Sequence, residues 1–222
     1  MTIKQQLDGF YSFLDRPLYG WARIALLVLV IPLALAFTQP LWRISLRAPQ
    51  YPDGLWMEIY THKVDGVNNG QHIREINTLN HYIGMHKIDR AELSDLDWIP
   101  FALGLLLVFA LRTAAIGNIR TLVDLVTMTG YVSLFAFGRF VYKLYVFGHN
   151  LDPSAPIKVE PFTPAIFGSK QIANFTTHSY PQLGSLFVGI FATGSLVILI
   201  WHLISGRLAL VRGARTETVS TP

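Results

Sequence analysis

LGSLFVGIFATGSLVILIWHLI, from Leu183 to Ile204, contains no Asp, Glu, Lys or Arg. The hydrocarbon core of a bilayer takes a helix of about 20 mostly apolar residues. The stretch therefore reads as a membrane span. Ser185, Gly189 and Thr193 recur along it at intervals of four, which lets another helix approach closely. His202, near its end, is the only histidine within a span.

Working outward, three more runs approach the same length: Trp21–Leu41, Trp98–Ile116 and Leu122–Phe147. The chain is 51% hydrophobic and 14% charged, against about 25% charged in an ordinary soluble domain. Pro32 lies in the middle of the first run and predicts a kink. Trp21 and Trp42 flank that run where interfacial rings are favoured. Asp97 is a suitable N-cap for the second run, with Pro100 in its first turn. The third run is the most polar, with Asp124 at one end and Arg139 and Lys143 one turn apart toward the other. Ionisable groups at such depth take partners, here outer-loop acids such as Asp97 or Asp152, or lipid phosphate.

The short segments set the orientation. Lys4, Arg16 and Arg23 precede the first span, Arg112 and Arg120 lie between the second and third, and Arg207, Arg212 and Arg215 follow the last. The positive-inside rule then puts both termini in the cytoplasm. The expected fold is an all-α membrane protein with four transmembrane helices and a small extracytoplasmic cap, a short strand plus a helix, built from two outer loops. Its segments are a cytoplasmic amphipathic segment (1–20), spans at 21–41, 98–116, 122–147 and 183–204, outer loops at 42–97 and 148–182, an inner loop at 117–121 and a cytoplasmic tail at 205–222. The first run has no small-residue cleavage site and reads as an uncleaved anchor. The expected location is a bacterial cytoplasmic (inner) membrane.

In the first outer loop, Tyr51–Val64 (YPDGLWMEIYTHKV) opens with turn chemistry and continues with aromatic and branched residues, which favours a strand. From Gln71, Ile73, Ile76, Leu79, Asn80 and Ile83 recur at three and four, which predicts a helix that Gly84 ends. Five prolines, Pro153, Pro156, Pro161, Pro164 and Pro181, predict an extended course for the second loop.

The segment His62–His86 holds His62, His72, His81, Met85 and His86, of seven histidines and four methionines in the chain. Imidazole with a thioether nearby suits copper. His81 and Met85 stand one helical turn apart, and His149, Asp152 and His178 lie in the second outer loop. These eight residues are the candidate metal ligands, each with a structural role as its competing reading. The absence of cysteine excludes disulfides, Cys-based zinc sites and iron–sulfur clusters. A haem between helices would want two facing histidines within the spans, so no intrinsic haem is expected. The net charge of +4 is too mild and dispersed to suggest nucleic acid, and no nucleic-acid partner is expected.

Two stretches, EINTLNHYIGMHKI (Glu75–Ile88) and GHNLDPSAPIKV with FGSKQIANFTTHSYPQLG (within Gly148–Gly184), together resemble a family of small bacterial membrane proteins associated with nitrous oxide reductase maturation and periplasmic copper handling. The resemblance covers about half of the chain. It implies a copper-related or respiratory accessory role outside the cytoplasmic membrane. His81, Met85, His149 and Asp152 stand at positions it shares.

No nucleophile with a base, Gly-rich phosphate loop or paired carboxylates are found, so catalysis by the chain alone is not expected. Two functions are. In one, an integral membrane accessory protein presents a His/Met copper-binding cap to a respiratory or copper-dependent enzyme system or a periplasmic metalloprotein. In the other, the chain is a non-catalytic subunit of a larger membrane oxidoreductase, among other membrane subunits, with no metal of its own.

Overall fold

The computed structural model describes residues 3–89, 92, 94–172 and 174–219. Their order is α1 (Ile3–Leu14), α2 (Gly20–Leu35), β1 (Trp42–Ala48), β2 (Tyr51–Ile59), β3 (Val64–Gly66), α3 (Gln71–Ile83), α4 (Ile99–Ile116), α5 (Ile119–His149), β4 (Gly168–Ile172), β5 (Phe175–Pro181) and α6 (Leu183–Val219).

The fold is not all-α. The two polar loops supply five antiparallel strands that join in a single sheet, in the order β3-β2-β1-β5-β4. A short strand plus a helix was expected there. Among the described residues three helices, not four, are long and apolar enough to cross a membrane: Ile99–Ile116, Ile119–His149 and Leu183–Gly206.

The first apolar run yields only α2, of 16 residues. It continues past Pro32 but stops at Leu35, where the carbonyl accepts both the Thr38 N–H (3.0 Å) and the Thr38 hydroxyl (2.8 Å). Pro40 then holds Gln39 away from helical geometry. Leu41, expected inside a span, donates its N–H to Ile59 and accepts from Gln182. The last third of the run thus leads into the sheet.

The chain divides into two compact units. The first comprises the residues up to Leu33, Leu105–Tyr131 and those from Gly189 on. Ala22, Leu26, Ala110, Leu122 and Phe191 are fully buried within it, while large apolar side chains such as Ile24 and Val108 are exposed. Exposed apolar side chains on helices of this length and composition are compatible with a membrane environment. Arg23, expected to mark a cytoplasmic flank, donates to the carbonyls of Ala114 (2.8 Å) and Ala115 (2.7 Å). It caps the end of α4, where unsatisfied carbonyls and the helix dipole favour a cation. Gly117, at φ +70°, turns the chain there and accepts from Leu18. His202 is buried, its Nδ1 2.7 Å from the Ile198 carbonyl and its Nε2 accepting from the Tyr19 N–H.

The second unit, Ala34–Gly104 with Val132–Val188, contains the whole sheet, α3 and the candidate site. α3 packs on β2 and β3. The core comprises Leu55, Ile76, Ile88 and Phe147, with Tyr51, Met57, Ile73 and Met85 packed against it. Ile73 approaches Gly66 so closely that a β-carbon there would meet its backbone at 2.9 Å.

Candidate functional site

The histidine-rich stretch is built around the end of α3. Gly84 takes the left-handed conformation (φ 79°) that favours glycine, and its N–H returns to the last turn. After Gly84 the chain folds back beside α3. Asn80 donates to the His86 carbonyl (3.3 Å), while Asn77 both donates to the Ile88 carbonyl (3.0 Å) and accepts from the Ile88 N–H (2.7 Å). The proline-rich loop straps this corner. Asp152 donates its N–H to Gly84, and Ile157 donates to Tyr82. The two stretches that carry the family resemblance therefore meet, and backbone bonds join them.

The eight predicted ligands are distributed among separate structural tasks. His72 is buried, accepts the Trp56 N–H at Nδ1 (3.2 Å) and sets its ring edge-on to Trp56. His86 lies with Nδ1 3.3 Å from Glu92 Oε1 and Nε2 3.2 Å from the Asn150 amide. His62 Nδ1 is 3.2 Å from the Thr61 hydroxyl, and His178 Nδ1 is 2.6 Å from the Ser169 hydroxyl. His149 stacks on Tyr145 and bonds its carbonyl at 3.0 Å. Asp152 accepts from the Ser154 N–H and hydroxyl, which hold its carboxyl below the ordinary aspartate range. Among the described residues no three His, Asp or Glu side chains form a group that could hold a metal ion.

His81 and Met85 do share a cleft, lined also by Arg74, Asn77, Thr78 and Lys87. Two permanent positive charges beside that pair oppose a cation. Met85 also contributes to the core and to the wall of a second hollow, so its thioether acts there as an adaptable apolar filler.

That second hollow is a feature that sequence reasoning missed. It is an apolar pocket of about 130 Å³ lined by β1, β2, α3, β5 and the C-terminal end of α5. Ile76, Leu79 and Ile83 supply the α3 wall, and Phe140, Leu144 and Phe147 supply the α5 wall. The repeat of Ile76, Leu79 and Ile83 marks a buried face, and Phe140, Leu144 and Phe147 recur likewise at four and three. A sequence can mark both faces, but whether they meet in contact or across a gap depends on packing.

Lys143 stands on the same α5 stripe and donates to Glu92 Oε2 at 3.2 Å. It thus meets an acid of the polar segment 42–97, as expected of its depth, with Glu92 as the partner. This bond above all, with His86 adding to it, holds the Glu92 carboxyl below the ordinary glutamate value.

Compared with known protein families, characterised proteins and solved structures, the chain matches none.

Proposed function

We propose that this chain is a non-catalytic accessory subunit of a larger membrane assembly, embedded by its apolar helices, with the sheet and α3 on the outer side of a cytoplasmic membrane. The observation that carries the reading is the state of the histidine rings. Ring nitrogens of His62, His72, His86, His149, His178 and His202 lie within hydrogen-bond distance of other groups of the protein, and His81 sits beside Arg74 and Lys87. In His86 and His202 both ring nitrogens have such partners, which a metal would have to displace, and at His81 it would bind against those charges. Such rings serve as structural contacts. The resemblance to copper-handling and respiratory accessory proteins suggests the kind of assembly to look for, and the basic residues of the short segments support the orientation.

Purification from native membranes in mild detergent tests this directly. The chain should arrive with partner subunits, and titration of the purified chain with Cu(I) should show no stoichiometric site that His81→Ala with Met85→Ala removes. A tight Cu(I) site lost in that double variant, in a chain that purifies alone, would replace this reading with the metal-presenting one. Cysteines placed at Asn69 and Ser169 should react with an impermeant reagent in cells whose outer membrane is permeabilised. One placed at Asn118 should be protected, and labelling at Asn118 alone would reverse the orientation.

A further inference from the structure

The apolar cavity belongs to no function assigned above, and its walls define what it can take. Every polar side chain on its wall with a described bond directs its head elsewhere. Lys143 donates to Glu92, Asn80 to the His86 carbonyl and Thr177 to the Lys170 carbonyl. Lys143 therefore offers the cavity its methylene stem and keeps its charge outside. A lumen of this kind gives water no partners, and water needs two to four. Size narrows the occupant further. An apolar hole of about 150 Å³ holds one benzene, so 130 Å³ takes a benzene-sized group or the last few carbons of an alkyl chain.

The α5 wall, Phe140, Leu144 and Phe147, belongs to a helix long and apolar enough to cross a membrane. In a bilayer, the hydrocarbon at high concentration beside such a helix is the acyl chain of a lipid. We infer that the cavity is a binding site for an uncharged hydrocarbon end, that of a membrane lipid chain, inserted between the sheet, α3 and α5.

The full chain in lipid nanodiscs, doped with a phosphatidylcholine carrying a diazirine at the end of one acyl chain, tests the site by photolysis and peptide mapping. Adducts are expected on Leu79 of α3 and Phe175 of β5, in addition to lipid-facing residues of the spans. They should fall at least tenfold in Leu144→Trp, which fills the cavity from α5. Ile76→Phe fills it from α3 and serves as the second variant should the first fail to fold. Dissolved benzene should compete for the same adducts. Three results would overturn the inference: adducts confined to the spans, adducts unchanged in a folded cavity-filled variant, or saturable benzene binding without lipid adducts, which would assign the cavity to a free small apolar molecule.

Discussion

Asn77 grips Ile88 at both of its backbone groups, accepting from the N–H at 2.7 Å and donating to the carbonyl at 3.0 Å. The side chain thereby does for one residue what a neighbouring strand would do. It holds the chain after Gly84 against α3 and seats Ile88, only 7% exposed, in the core. Asn77→Ala should leave two partly buried backbone groups without partners and cost about 1–3 kcal/mol. Asn77→Asp keeps the acceptor and loses the donor, so it should cost less than Ala if the N–H bond dominates. Thermal melts of the detergent-solubilised chain measure both, and an Ala variant that melts with the parent would show that the clasp carries no stability.

Gly84 is fixed by space as well as by dihedral. A β-carbon there would lie 2.8 Å from the Asp152 carbonyl oxygen and 2.9 Å from its nitrogen, on a backbone at φ +79°. Neither backbone atom can swing aside as a side chain would. Gly84→Ala should therefore destabilise by about 1–3 kcal/mol through forced displacement of the strap. Gly130, inside α5, has nothing within 4 Å of its β-carbon position. Gly130→Ala should raise stability by up to about 1 kcal/mol through helix propensity. Equal melting temperatures for the two variants would contradict this contrast.

The three long apolar helices are legible from the length of their apolar runs and α3 from its apolar spacing, and the end of α3 is legible because Gly84 marks it. The sheet is less so, for separate reasons at separate strands. β1 alternates cleanly, with Arg43 and Arg47 exposed and Leu46 and Ala48 buried. It directly follows the run Trp21–Leu41, however, and the apolar count of that run conceals the helix end at Leu35. β5 buries Thr177 and Ser179 on its inner side. Thr177 donates to Lys170, and Ser179 donates to the Ile166 carbonyl while accepting from Trp42 Nε1 at 2.7 Å. Small polar residues satisfied in this way give no hydrophobic period, so a buried strand reads as a polar loop. The histidines carry a related ambiguity. Imidazoles that bond to backbone and side-chain partners look, in sequence, the same as ligands.

The Lys143–Glu92 pair makes stability depend on acid pH. Its bond to Lys143 keeps the Glu92 carboxyl below its ordinary value, so the folded chain binds that proton less readily than the unfolded chain. A depressed carboxyl contributes stability that is fully present above the unfolded value and disappears as pH falls through the folded one. The parent should accordingly lose melting temperature across that acid window more steeply than Glu92→Gln. Glu92 is 37% exposed at the side chain, so salt should screen part of the difference. Parallel pH profiles for the two proteins would show that the pair contributes nothing.

The two histidines of α3 provide the sharpest contrast between a structural ring and a ligand. His72 is 8% exposed and supplies the acceptor for the Trp56 N–H, whereas His81, nine residues on, is exposed. His72→Phe keeps a ring beside Trp56 but removes the acceptor, leaving a β2 N–H without it at a cost of about 1–3 kcal/mol. His81→Ala removes an exposed side chain and should fall within about 0.5 kcal/mol of the parent. Had evolution placed both as ligands of one ion, adding that ion would stabilise the folded chain, and each substitution would abolish the gain equally. Melts of the parent and both variants, with and without added Cu(I), separate the two cases. A large loss for His72→Phe, a negligible one for His81→Ala and no copper-dependent shift in any of the three is the expected pattern, and a copper-dependent rise lost in both variants would return these rings to a shared metal site.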